Sequence, residues 1–359
     1  MRIAIVAPPW LPVPPPAYGG TEAVLDSLAR GLSDAGHDVL LYATGDSTCP
    51  VPRKWTFAQA PGIAVGGVPI ELRQVIDAYD AARGDFDVVH DHTITGPFVA
   101  QGYPDLPVVT TNHGPFDEGL SAIYRAMADR VPIIAISHHQ ASTAADIPIA
   151  AVIHHGIDIG RFPFGSGDGG YAAFLGRMNP DKGVDTAIRV ARKAGIPLRI
   201  AAKMREQAER DYFRNRVKPL LGDDIEYIGE VGGGDKLEFL ARARCLLNPI
   251  NWPEPFGMVM IEALACGTPV VTRPCGAAPE IVEDGVTGFV RTEEDGLATA
   301  VVRAAELDRS ACRQSVEDRF STRRLAQDHI DLYTRVSDAW PDLSRIAPAA
   351  SPSQQHAAA

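Results

Sequence analysis

Two glutamates eight residues apart, Glu254 and Glu262, stand in the segment 248-NPINWPEPFGMVMIEALACGTPVV-271. Prolines over Asn248 to Glu254 exclude helix there, so Glu254 belongs to a loop and a helix is predicted from Gly257 to Cys266. The free N–H groups of that helix's first turn, together with its macrodipole, suit a diphosphate, and the glycine lets a ligand approach the backbone. Glu262 lies a turn and a half into the helix. The two carboxylates are therefore placed to grip different hydroxyl-bearing parts of one elongated ligand. The plainer alternatives are that Glu254 caps the helix and that Glu262 is a surface residue.

A second cluster lies in 174-FLGRMNPDKGVDTAI-188, where a strand ends at Gly176 and Arg177 and Lys182 stand five apart across a turn containing Pro180. Two cations at a strand's C-terminal end neutralise a diphosphate as its bond to a sugar breaks. The plainer alternative is an exposed lysine and an arginine paired with Asp181 or Asp185. Gly176 and Gly183 flank the pair and favour the phosphate reading.

Histidines gather at three strand ends in the first half: His90-Asp91-His92, Asn112-His113-Gly114 and Ser137-His138-His139. In an open parallel sheet such ends line the ligand crevice. His90 and His92 are expected to point to opposite faces of their strand. At most one of them, His92, then lines the crevice beside Tyr18, and the group is read as no metal site. Gly19-Gly20 opens the first helix without a G-x-G-x-x-G fingerprint, which weakens a nicotinamide reading.

These residues need two sheets to hold them. Apolar runs predict strands over Ile3–Ala7, Asp38–Ala43, Asp87–His90, Pro107–Thr111 and Pro132–Ile136, with a helix over Glu22–Ala35. Residues 152–158 and the glycine-rich 161–170 read as a linker. Alternation then restarts with strands over Ala172–Leu175, Leu198–Ala201, Ile225–Ile228, Cys245–Asn248 and Val270–Thr272. Helices are predicted over Val184–Ala194, Arg205–Leu220, Lys236–Ala243, Leu297–Leu307 and Arg323–Ala339. Two β/α series with a break between them predict two doubly wound Rossmann-like domains facing each other across a deep interdomain cleft. The predicted division is 1–157, 158–322, a helix over 323–344 crossing back to the first domain, and a disordered tail over 345–359.

Composition narrows the classes. A net charge of −11 and a pI near 5.4 argue against general affinity for nucleic acid or anionic membrane. Five scattered cysteines without C-x-x-C spacing read as reduced thiols of a cytoplasmic protein. MRIAIVAPPW suits a buried strand better than a signal core, and no run of eighteen apolar residues predicts a membrane span. Oligomeric state has no signature here.

Gly176-Arg177, Lys182-Gly183, Glu-Pro-Phe-Gly and the glutamate eight after the first resemble glycosyltransferase family 4, retaining enzymes with the GT-B fold. The resemblance runs over nearly the whole chain. It implies that Gly176, Arg177 and Lys182 meet the donor diphosphate, that Glu254 binds donor-sugar hydroxyls and that Glu262 binds the ribose. The backbone at Phe256, Gly257 and Met258 would approach sugar and phosphates, and Gly19-Gly20 would lie against the diphosphate. His113 takes the place of the family's active-site histidine, and Gly229 to Lys236 falls at its nucleobase pocket. His154-His155 departs from the family's Pro-Asn-Gly pattern. The implied reaction is retaining transfer of a hexose to an acceptor hydroxyl. By family frequency UDP-glucose is the leading donor and GDP-mannose the next. The nucleoside-diphosphate sugar is the co-substrate, with no metal or further cofactor. The rivals are a GT-B nucleotide-sugar epimerase and a non-catalytic nucleotide-sugar binder.

Overall fold

The computed structural model describes residues 1–62, 67–144, 146–343 and 346, so of the tail predicted over 345–359 only Ile346 falls within it. The chain divides into two compact units, Met1–Gly156 with Thr322–Ala359, and Ile157–Ser321.

The first unit holds a parallel sheet of seven strands: β1 (Arg2–Val6), β2 (Asp38–Tyr42), β3 (Arg53–Lys54), β4 (Val88–Asp91), β5 (Val108–Thr111), β6 (Ile133–Ala135) and β7 (Ile149–Val152). Their order is β3-β2-β1-β4-β5-β6-β7. Strands this apolar must be covered on both faces. On one face Ile3 and Ile5 pack with Leu25, Leu28 and Leu32 of the helix Gly20–Asp34, and with Leu325, Tyr333 and Val336 of the helix Thr322–Ala339. The other face is covered by Val75, Ala78 and Tyr79 of the helix Val68–Ala82.

The second unit holds six parallel strands, β8 (Ala172–Arg177), β9 (Leu198–Lys203), β10 (Ile225–Gly229), β11 (Cys245–Asn248), β12 (Val270–Thr272) and β13 (Gly288–Val290), in the order β10-β9-β8-β11-β12-β13. Phe174, Ile200 and Leu247 pack against Val184, Ile188 and Ala191 of the helix Val184–Ala194.

Several sequence expectations need correction. The short strands β3, β7 and β13 and the helices Val68–Ala82, Glu118–Met127 and Arg309–Arg319 were absent from the periodicity reading. The stretch read as a helix over Arg205–Leu220 is the helix Gln207–Tyr212, a π turn over Phe213–Val217 and a 3-10 turn over Lys218–Leu220, with Pro219 in that last turn. Residues 161–170 are no free linker. A Cβ on Gly165 would lie 1.9 Å from the Ala241 carbonyl oxygen, and Arg309 Nε donates to the Gly165 carbonyl at 2.7 Å. At Gly165, Gly167 and Gly169 the backbone packs directly on its neighbours, and Gly170 takes a positive φ of 73°. All five cysteines are free, and burial pushes the thiols of Cys49, Cys245, Cys266 and Cys312 up to about 12.

Candidate active site

In a doubly wound sheet the ligand crevice opens where the strand order reverses, beyond the C-terminal strand ends. In the second unit that point lies between β8 and β11. β8 ends on Gly176-Arg177 and β11 ends on Asn248, so the two motif-bearing loops leave adjacent strands side by side. They are also laced together. The Asn251 N–H donates to the Asp181 carbonyl at 2.8 Å, and the Asn179 side chain caps the intervening turn through the Asp181 N–H at 2.7 Å. Gly183 has φ 72°, and a Cβ there would sit 2.3 Å from the Pro249 carbonyl oxygen. Loop packing thus accounts for this glycine without a phosphate. Gly176 is different, since a Cβ would meet nothing nearer than 3.7 Å.

Lys182 is buried, and its ammonium donates to the Glu254 carboxylate with the Trp252 ring centroid 5.5 Å away. The plainer alternative of an exposed lysine, with the arginine paired to Asp181 or Asp185, therefore fails. Asp185 instead accepts from Arg189 at 3.0 Å and from the Tyr212 hydroxyl at 2.8 Å. Arg177 is half-buried, and its guanidinium has no hydrogen-bond or ion-pair partner among the described residues. Glu254 is held by its backbone as well. The Ala277 N–H donates to its carbonyl at 2.9 Å, and Gly276, at φ 62°, would place a Cβ 2.2 Å from that oxygen. Gly276→Ala is accordingly expected to destabilise the chain by about 2 kcal/mol in urea unfolding and to displace Glu254, with activity falling further than stability. Native-like stability in that variant would show that the turn tolerates the methyl group.

The helix Met258–Ala265 starts from Gly257 at φ 102° with no side-chain cap, so Glu254 is not its cap and its first N–H groups are left to other partners. Glu262 is buried, not a surface residue, and accepts from Lys236 Nζ at 2.7 Å. Lys236 stands in the first turn of the helix Gly233–Arg242. The Phe256 ring is buried edge-on to Phe320 at 6.0 Å, which leaves only its backbone for recognition. Met258 is half-buried beside it.

In the first unit the order reverses between β1 and β4. The loop after β1 leads through the exposed Tyr18 to Gly19, where a Cβ would meet Pro15 at 2.7 Å, and Gly20 begins the helix. Glu22 in its first turn is buried, which raises its carboxyl to about 7 against a lowering hydrogen bond from its own N–H.

His90 and His92 do not point to opposite faces. Residues two apart on an extended chain share a face, and their ring centroids lie 3.9 Å apart with the planes tilted by 40°. His90 bonds Tyr333 Oη at 2.6 Å and Thr111 Oγ1 at 2.7 Å. His92 is buried and its Nδ1 lies 2.8 Å from His113 Nε2. His155 stacks on His113 with centroids 5.3 Å apart, and His329 lies 5.1 Å from His90. Burial, followed by neighbouring imidazoles, lowers His113 to about 4 and holds His90, His92 and His155 well below the usual range. His138 belongs to a different contact, edge-on to His154 at 5.6 Å.

The structure brings Lys182, Glu254 and Trp252 together and sets Arg177 on the neighbouring strand end. It adds Gly276, which sequence reading did not single out as a site residue, and it pairs Lys236, the end of the expected nucleobase turn, with Glu262. A positive φ at Gly276 and a cation on a first helical turn carry no local signature of a partner far along the chain.

Two Rossmann-like units, each with its chemistry-bearing residues at the switch point of a parallel sheet, define a GT-B glycosyltransferase. Residues 18–161 match the profile of Glycosyltransferase Family 4, and residues 160–317 match that of Glycosyl transferases group 1. The chain is 27% identical to a phosphatidyl-myo-inositol mannosyltransferase of Mycolicibacterium smegmatis, over 86% of each chain. It is also 27% identical to a glycogen synthase of Mycobacterium tuberculosis, over 93% of this chain and 94% of that one. The crystal structure of AviGT4, a glycosyltransferase involved in avilamycin A biosynthesis, superposes with a TM-score of 0.71 at 25% identity, over 94% of this chain and 98% of that one. The protein belongs to glycosyltransferase family 4 and is a glycosyltransferase.

Proposed function

We propose that the protein transfers a hexosyl group from a nucleoside-diphosphate sugar to an acceptor hydroxyl with retention of anomeric configuration, UDP-glucose being the leading donor and GDP-mannose the next. The observation that carries this reading is the grouping of Arg177, Lys182, Glu254 and the uncapped helix start at Gly257 around one sheet switch point. Cations and free N–H groups serve the diphosphate, and carboxylates serve sugar and ribose hydroxyls. The relatives' names divide between mannosyl transfer and glycogen synthesis, so the two donors stay ranked rather than decided.

In the proposed step the acceptor oxygen attacks the anomeric carbon on the face from which the leaving group departs. The bond from that carbon to the β-phosphate oxygen breaks, and the departing oxygen takes the hydroxyl proton. Arg177, Lys182 and the first turn at Gly257 stabilise the charge that builds there. Glu254 and Glu262 orient sugar and ribose, and His113 faces the sugar. No metal is needed for this charge balance. Five free thiols support a cytoplasmic setting.

The test begins with thermal shift against UDP, GDP and ADP, since a ligand at a hundred times its Kd stabilises by about 2.7 kcal/mol. The matching labelled sugar nucleotide is then incubated with protein in EDTA. Slow release of nucleotide and free sugar is expected. Isomerised donor would replace the reading with an epimerase, and an unchanged donor that binds would replace it with a binder.

A further inference from the structure

We propose that His92 is a positioning residue that holds His113 in a single neutral tautomer, with the His113 proton on Nδ1. This rests on the transferase reading for His113's role and goes beyond it in assigning its chemistry. His92 follows β4, is buried, and reaches His113 Nε2 through its Nδ1 at 2.8 Å. One of those two nitrogens carries the shared proton. His92 Nε2 decides which, because it is buried with no hydrogen-bond partner among the described residues. A buried N–H without an acceptor is the costlier orphan, as it forfeits a donor that water would satisfy, and native structures rarely contain one. The His92 proton therefore sits on Nδ1 and is donated to His113 Nε2. That nitrogen must then be bare, which leaves the His113 proton on Nδ1.

Both rings are clamped in this arrangement. His92 lies tilted against His90 with ring centroids 3.9 Å apart, the two nitrogens of His90 being engaged by Tyr333 and Thr111, and His113, bonded edge-on to His92, is stacked on by His155 at 5.3 Å. Tyr333 lies on the helix Thr322–Ala339, so that helix braces His90 and, through it, His92. Burial keeps both rings uncharged, in agreement with the geometry. The chemical consequence is definite. His113 offers an N–H to a sugar oxygen and no basic nitrogen to an acceptor hydroxyl, whose proton must leave by another route, such as the departing phosphate oxygen.

Long-range proton–nitrogen correlation spectra of the full chain carrying nitrogen-15 histidine, at pH 7.5, read the tautomer directly. The expected result is a protonated Nδ1 and bare Nε2 for His113, with His92 in the same form. A protonated His113 Nε2 in the unmodified protein overturns the proposal, and this measurement requires no variant to fold. His92→Phe keeps an aromatic ring against His90 and removes the bond, so His113 should become a tautomer mixture and kcat should fall about tenfold with little change in donor KM. His92→Asn, whose amide N–H replaces Nδ1–H, should restore both readings. A His92→Phe variant that retains a single Nδ1–H tautomer would equally overturn the proposal. The spectra need no turnover. A correct tautomer without transfer from any donor would therefore count against the transferase reading alone.

Discussion

Replacing Lys182 with methionine is expected to lower kcat at saturating donor about a hundredfold, the cost of removing one preorganised charge contact to a developing anion, roughly 3 kcal/mol. Donor KM should change far less, since the leaving oxygen carries more negative charge in the transition state than in the bound donor. The substitution also breaks the pair with Glu254, whose side chain is mostly buried, and so carries a stability cost of its own. The double variant Lys182→Met, Glu254→Gln separates the two effects. With neither charge left uncompensated it should regain most of the lost stability in urea unfolding while staying at least as slow as the single variant. Full turnover in the single variant, with its fold confirmed, would remove Lys182 from the leaving-group role. The Trp252 ring over the ammonium sharpens the expectation, because it limits where the cation can move as the pair rearranges.

That pair also marks where sequence reading stopped. The strand ends carrying Arg177, Asn248 and His113 were legible, because buried parallel strands read as unbroken apolar runs and their polar successors stand out. So was the division into two β/α series. β3 and β13, two and three residues long, fall below what a run can signal. Lys182 with Glu254 are 72 residues apart and Lys236 with Glu262 are 26 apart, so only the folded sheet order makes them neighbours. Gly183 shows the reverse error. A glycine beside two cations suggested phosphate, yet its backbone conformation and the Pro249 carbonyl account for it. The histidines carried a misread geometry, since alternation along a strand puts positions 90 and 92 on one face. Their clustering with His155 and His329 then followed from sheet order and from the position of the last helix.

The same cluster should make the protein acid-labile, with stability falling as pH drops from about 6.5 toward 4. Burial holds His113 and His329 near 4, and His90, His92 and His155 lie well below the ordinary value. A histidine kept neutral in the folded chain lets the unfolded chain bind the extra proton, so stability is complete above the unfolded pKa near 6.5 and is lost below it. At pH 5 that loss is about 2 kcal/mol for His113 and for His329, and His90, His92 and His155 add to it in the same direction. Arg324, which lowers His155 and His329, adds to the cost of charging either. Two carboxyls oppose the trend. Burial raises Glu22 and Asp91 to about 7, so each takes up a proton in the folded chain first and stabilises it by about 2.5 kcal/mol on acidification to pH 5. Five rings against two carboxyls leave a net loss of stability on acidification. Urea unfolding at pH 7.5 and pH 5.0 measures it, and His329→Leu should shrink the difference between the two by about 2 kcal/mol. Equal stability at the two values would mean that the rings are hydrated and titrate as free imidazoles do.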